Sequence, residues 1–205
     1  VRRRLEGRVD HERVVICATH THSGPDTIGI WGPGILGLFP RKSGLDRAYL
    51  SWLAERVTQV ILEAVDRLRP AVARAASFEV PERWTRNDRT KGGRFDRATA
   101  VAFEDAQTSE RLATVLNFAS HPETLWEHNR WLSPDFPGPF RRHARLRSPG
   151  PKLYFSGPLG GMLTPNVPAD ADEDGRRAYI EALGEALATL TEDALGAADP
   201  VDATP

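Results

Sequence analysis

The sequence is poor in sulfur and has no long apolar run. Among 205 residues there is one cysteine, Cys17, and one methionine, Met162. A single cysteine excludes an internal disulfide framework. Its place inside the apolar run around it predicts a small core residue. No stretch of about 18 apolar residues occurs, so no transmembrane helix is predicted. The apolar segment Ile28 to Phe39 contains four glycines and a proline and reads as loop. Neither sign of charge dominates: 27 Lys and Arg face 28 Asp and Glu, for a net charge of -1. That balance argues against a nucleic-acid binder, which carries a basic surplus, and against a polybasic membrane anchor. No repeat, low-complexity tract or signal peptide is visible. The chain begins Val-Arg-Arg-Arg, without methionine, in what reads as the tail of a helix, so any targeting segment is expected outside it.

What is present suits one compact domain. A 40% hydrophobic content over this length supports one real core and is too little for two large ones. Arg13 to Thr19 is a β-branched apolar run, the pattern of a strand buried on both faces. Ser23 to Lys42 is rich in Gly and Pro and predicts loop. Leu45 to Leu68 places Leu45, Tyr49, Trp52, Leu53, Val57, Val60, Ile61, Ala64, Val65 and Leu68 on one helical stripe, and Pro70 ends it. Val72 to Val80 predicts a strand. Thr99 to Glu104 and Arg111 to Phe118 predict a strand pair joined by a polar turn. Trp84 to Phe95, Ser133 to Phe140 and Gly157 to Pro168 read as loops. A short helix over Phe140 to Leu146, a strand over Lys152 to Phe155 and a long helix from Glu173 to Leu195 complete the chain. Together these predict an α/β fold, a mixed β-sheet flanked by helices, forming an incomplete catalytic domain over residues 1–195. Residues 196–205 read as a flexible tail or cut end.

Five segments can carry chemistry. Thr19-His20-Thr21-His22-Ser23-Gly24-Pro25 follows the first predicted strand. In extended chain, residues two apart point the same way, so His20 and His22 can converge beyond a strand's carboxyl end. Neutral imidazole is the commonest metal ligand, and catalytic zinc takes about three protein ligands plus a water. A pair of hydrogen-bonded loop histidines fits the same letters. Asn117-Phe118-Ala119-Ser120-His121-Pro122 repeats the design. His121 alone reads equally as a capping or core histidine. Two strands ending in histidine supply two rigidly mounted nitrogens, as a preorganised metal site requires. Asp135, between Pro134 and Pro137, can ligate a metal, orient a histidine or cap the following helix. The glycine-rich loop Ser156 to Asn166 can line a pocket or donate to an oxyanion, or simply connect two elements. Arg86-Asn87-Asp88-Arg89 offers guanidinium groups for an anion, or for solvent.

Asp170, Asp172, Asp174, Gly175 and Glu181 match the spacing of a calcium loop. Pro165 and Pro168 leave no entering helix, and acidic residues at a helix start are also explained by its dipole. His11, His128 and His143 read as surface residues.

The ordered set Ala18-Thr-His-Thr-His-Ser-Gly-Pro25, Asn117-Phe-Ala-Ser-His-Pro122, Ser133-Pro-Asp-Phe-Pro-Gly138 and Thr164-Pro165-Asn166 resembles the neutral/alkaline (non-lysosomal) ceramidases, over about residues 13 to 195. The resemblance implies part of an N-terminal catalytic domain and a zinc-dependent amide hydrolase acting on N-acyl sphingosines. It implies His20 and His121 as zinc ligands, with His22 beside the metal orienting water or substrate. It matches Arg89 to the family's loop arginine, although Asp88 intervenes. The family's other ligands, a Glu and a Tyr, fall beyond residue 205. Thr164 stands where a serine is expected, and Met162 where an aspartate is usual. The implied partner is a small-molecule lipid amide, with no nucleic acid, and the implied setting is secreted or periplasmic. Two rival readings remain. Other metallohydrolases also use HxH after a strand, but expect a tighter H-x-H-x-D-H cluster, whereas here Asp26 lies six residues after His20. A non-catalytic or inactive fragment could also keep the fold without the chemistry.

Overall fold

The computed structural model of the chain describes residues 1–30, 32, 34–35, 39–40, 43–90, 93–127, 129–161 and 163–201. His128 and Met162 therefore lie outside the described residues. In chain order the main elements are β1 (Gly34–Ile35), β2 (Phe39–Pro40), α1 (Arg47–Val65), β3 (Ala71–Glu79), β4 (Thr85–Asn87), β5 (Arg97–Asp105), β6 (Arg111–Phe118), α2 (Pro137–Arg147), β7 (Lys152–Ser156), β8 (Leu163–Pro165), α3 (Glu173–Gly196) and β9 (Pro200–Val201). The chain divides into two compact units, residues 1–16 with 25–69, and residues 17–24 with 70–205.

In the first unit, Asp46 caps α1: its Oδ1 accepts from the Ala48 and Tyr49 amides at 2.8 and 3.1 Å. The apolar stripe of α1 is only partly covered, with Tyr49, Leu53, Val57, Ile61 and Val65 half-buried. Thr58 is its one buried residue among those described, and Trp52 and Val60 are 53% and 64% exposed. The 3-10 turn Arg2–Leu5 packs on this helix. The segment expected to be all loop contains the small antiparallel ladder of β1 and β2.

The second unit is a mixed sheet of order β7-β6-β5-β3-β9. β6 and β7 run parallel and the other pairs antiparallel. Alternation writes one buried face: Ala98, Ala100 and Ala102 of β5, Leu116 and Phe118 of β6, and Tyr154 of β7. Phe136, Phe140, Ala144, Ile180, Leu183 and Leu187 from α2, α3 and the entry to α2 join that core. Phe118 and Phe136 meet edge on at 5.9 Å, as do Phe136 and Tyr154 at 5.5 Å. Each buried aromatic side chain of this kind contributes about 1.5–3 kcal/mol. α2 and α3 cross closely because position 184 is glycine. A Cβ there would lie 2.4 Å from Pro139 Cβ and 2.6 Å from the Phe140 amide.

Several expectations are corrected. Arg13 to Thr19 pairs with no strand among the described residues, and Val15 and Ile16 are 72% and 51% exposed. Its β-branched letters favour extension, but a buried strand also needs a partner on each edge. Cys17 is accordingly exposed and free, not a core residue. The two loops around β4 and β8 are stitched together, Thr85 opposite Pro165 and Asn87 opposite Leu163. The helix expected from Phe140 starts at Pro137, a proline suiting a first turn that lacks amide acceptors. Pro200–Val201 pairs with β3 through Ala73 and Arg74.

Candidate metal centre

The site lies at the carboxyl ends of the parallel strands β6 and β7, where sheets of this kind hold ligands. β6 delivers residues 119–125 there. The His121 amide donates to Leu163 O at 2.9 Å, and its ring Nδ1 lies 2.6 Å from the same oxygen. The segment 17–24 is laced to these loops. The Ser156 hydroxyl donates to Thr19 O at 2.9 Å, the Thr21 hydroxyl to Ser133 O at 2.8 Å, and the His22 amide to Pro122 O at 3.1 Å.

These ties bring three imidazoles together. Ring centroids are 5.1 Å apart for His20 and His121, 5.3 Å for His20 and His22, and 5.5 Å for His22 and His121. One nitrogen from each ring lies within 4.8 Å of the others. The convergence does not come from strand alternation, as the spacing suggests. His20 has φ 66°, a left-handed conformation that costs a non-glycine residue roughly 1–3 kcal/mol. That kink turns its ring toward the other two. Trp126 and Asp135, with φ 61° and 53°, hold the same conformation in the neighbouring loops. Strained backbone is thus concentrated around the histidines.

The electrostatics differ ring by ring. Burial, reinforced by the neighbouring imidazoles of His121 and His22, lowers the His20 pKa and favours its neutral form. The hydrogen bond to Glu123 raises His22, against the opposing effect of burial. His22 Nδ1 lies 2.9 Å from Glu123 Oε2. Burial alone would raise Glu123, but hydrogen bonds from His22 and Thr164 outweigh it and hold the carboxyl below its ordinary value. Donor chemistry therefore fits a soft-to-borderline divalent metal: imidazole nitrogens, mutually within coordination reach, on rigid supports.

Asp135 is wholly buried and does not cap α2. Its Oδ1 accepts from the Thr124 hydroxyl at 2.6 Å and from the Phe136 amide at 2.8 Å, clamping two loops together. Burial raises its pKa, opposed by the Thr124 hydroxyl and by backbone amides. Arg89 sits exposed in the turn after β4, its amide bonded to Asn87 Oδ1 at 2.9 Å. Among the described residues no hydrogen bond, ion pair or ring contact links it to the histidines. Arg86 of the same motif pairs with Asp88 and donates to Pro165 O and Val167 O. With Glu123, Thr124, Trp126, Thr164 and Arg176 it lines a cavity of about 170 Å³. That volume suits a small polar group rather than a whole lipid.

The calcium spacing is taken up otherwise. Asp172 Oδ1 caps α3 through the Gly175 amide at 2.8 Å. Glu181 lies eight residues along α3 from Glu173, about 12 Å by helical rise, and bonds Arg142 and, at 3.0 Å, His143. His143 thus bridges α2 to α3 through Glu181. Glu123 and Thr124 were not predicted. The available signal was an acid two residues after a strand-end histidine, in an otherwise apolar stretch.

No family model matches the chain, and no curated protein matches it by sequence. Solved structures do. The neutral ceramidase from Pseudomonas aeruginosa superposes with a TM-score of 0.70 at 22% identity, over 88% of this chain and 31% of that one. A structure described as ceramidase complexed with C2 gives 0.63 at 19% identity, over 88% and 30%. The fold is therefore ceramidase-like. The chain spans about a third of the length of these neighbours.

Proposed function

We propose that this chain belongs with the neutral/alkaline ceramidases and is the zinc-binding part of an N-terminal catalytic domain that hydrolyses an N-acyl amide of lipid type. One observation carries the reading: three imidazole nitrogens within 4.8 Å of one another, at the strand ends of a ceramidase-like fold. His20 and His121 hold the zinc. When bound, zinc polarises an amide carbonyl and lowers the pKa of water, which supplies a nucleophile near neutral pH. The chain's own residues position and neutralise. The Leu163 carbonyl fixes the His121 ring, and Glu123 fixes His22. His22, half-exposed, holds or moves a proton beside the scissile amide, and Arg89, which the family resemblance supports, donates to the developing oxyanion. The small cavity between Arg86, Arg176 and Glu123 receives a polar group, leaving the acyl chain outside it.

The test is a fluorogenic N-acyl sphingosine assayed with zinc-loaded and chelator-stripped protein, beside zinc titration of wild type, His20→Ala and His121→Ala. Stoichiometric zinc binding that both substitutions abolish, with hydrolysis that follows the metal, is expected. Unchanged hydrolysis after stripping, or zinc binding indifferent to both substitutions, would refute the reading.

A further inference from the structure

We propose that the loop after Leu125, through its exposed residues Trp126, Arg130, Trp131 and Leu132, docks on the surface of a phospholipid bilayer. The inference rests on the lipid-amide reading above and says where such a substrate is met: at a membrane face, not in free solution.

A surface loop ordinarily turns its polar side chains to water and its apolar ones inward. The described residues of this loop do the reverse. Trp131 and Leu132 are 72% and 81% exposed and Trp126 is 49% exposed, whereas the polar Asn129 is half-buried. The inversion is held in place by hydrogen bonds. The Asn129 backbone amide donates to Trp126 O at 3.3 Å, and its side-chain amide donates to Trp131 O at 2.6 Å and to Ser23 Oγ at 2.9 Å. Its Oδ1 accepts from the Trp131 amide at 3.2 Å. One inward-turned amide therefore closes the turn and leaves the apolar side chains outside it. The root of the loop is tied to the segment that carries His20 and His22: the Ser133 amide donates to Ser23 O at 3.0 Å, and Ser133 O accepts from the Thr21 hydroxyl at 2.8 Å.

The chemistry of the loop and its place select the occupant. Tryptophan, with a large apolar body and one N–H, suits the boundary between headgroups and acyl chains, and leucine beside it adds apolar area. Arg130 is exposed next to them and complements lipid phosphate, while Glu127, the loop's one acid, has an interaction of its own. The apolar surface is also continuous with the candidate site. Trp126 lines the cavity of about 170 Å³ together with Arg86, Arg176 and Glu123. A cavity of that size takes a polar group and leaves acyl chains outside, where the loop offers them the surface that a bilayer also covers.

Flotation of the full chain with vesicles of phosphatidylcholine and phosphatidylglycerol tests the proposal, beside zinc-dependent hydrolysis of a water-soluble short-chain N-acyl amide. Wild type is expected to float with the vesicles. Trp131→Ala and Leu132→Ala should each weaken partitioning about 10-fold or more, with zinc affinity and hydrolysis of the soluble amide unchanged. Arg130→Gln should cost about 5-fold. Trp131→Phe should keep most of the partitioning and reduce the quenching of tryptophan fluorescence by brominated lipid. Wild type that stays unbound, or Trp131→Ala and Leu132→Ala that float like wild type, overturns the docking surface, and hydrolysis of the soluble amide then still stands by itself. A dimer in sedimentation that both alanine variants dissociate, without vesicle binding, overturns the bilayer in favour of a second copy. Vesicle binding that depends on Trp131 and Leu132, with no hydrolysis, upholds the docking surface and overturns the hydrolase reading.

Discussion

The two ends of β6 and β7 both gather ionisable side chains, and they treat them in opposite ways. At the start of β7, the fully buried Lys152 Nζ bonds Thr114 Oγ1, Ser148 Oγ, Pro149 O and Glu192 Oε1. Arg111 adds ion pairs with Glu104 and Glu192. Charge there is answered by charge, and burial still pulls the Lys152 pKa down. At the far end, among the described residues, His22 and His121 have partners at Nδ1, and three rings face one another with no carboxylate in their cluster. A network in which each buried cation meets a carboxylate is a structural device, whereas imidazoles gathered without an opposite charge between them have the composition of a ligand site.

The sharpest way to break this comparison is to remove one residue from each end. Glu192→Ala leaves Lys152 as a buried uncompensated charge. A loss of about 3–5 kcal/mol is expected in urea unfolding, with zinc affinity of the refolded protein unchanged. Replacing Lys152 and Glu192 together by apolar residues of similar volume should recover most of that loss. At the other end, His121→Ala should abolish stoichiometric zinc binding in calorimetry while costing less stability than Glu192→Ala. If the stability and metal effects were exchanged, the division would be wrong.

A mutation between the two ends should touch both. Gly184→Ala drives a Cβ into the Pro139 and Phe140 backbone where α2 leaves the Asp135 loop. An overpacking cost of about 1–3 kcal/mol is expected, with modestly weaker zinc binding as that loop shifts. The smallest effect is electrostatic. Arg142, chiefly, and His143 hold the Glu181 carboxyl below its ordinary value. A depressed folded pKa contributes stability that is complete above the unfolded carboxyl value and is lost as pH falls through the folded one. Glu181 is half-exposed, so the contribution stays below about 1 kcal/mol. Glu181→Gln should flatten the acid limb of the stability curve by that amount and leave zinc binding alone.

How much was legible follows from range. β3, the β5–β6 pair and α3 were readable because alternation, helical periodicity and the Asp172 cap act within a few residues. The β4–β8 ladder was missed because Thr85 and Pro165 are far apart in sequence and each strand is only three residues long. The α1 stripe was readable as a pattern, but the pattern does not say what covers it. The run before His20 shows the same limit: its composition prescribes extension and leaves pairing undecided.

Sequence by itself determined the site's ingredients: two histidines two apart, a third after an apolar strand, and the element types that carry them. Tertiary structure alone decided that the three rings meet, that His20 joins them from a left-handed backbone, and that Glu123 and the Leu163 carbonyl lie against Nδ1 of His22 and His121. The physical reason is one of scale. Residue type and local period set what a side chain can donate or accept, but which partner meets each ring atom depends on segments brought in by the fold.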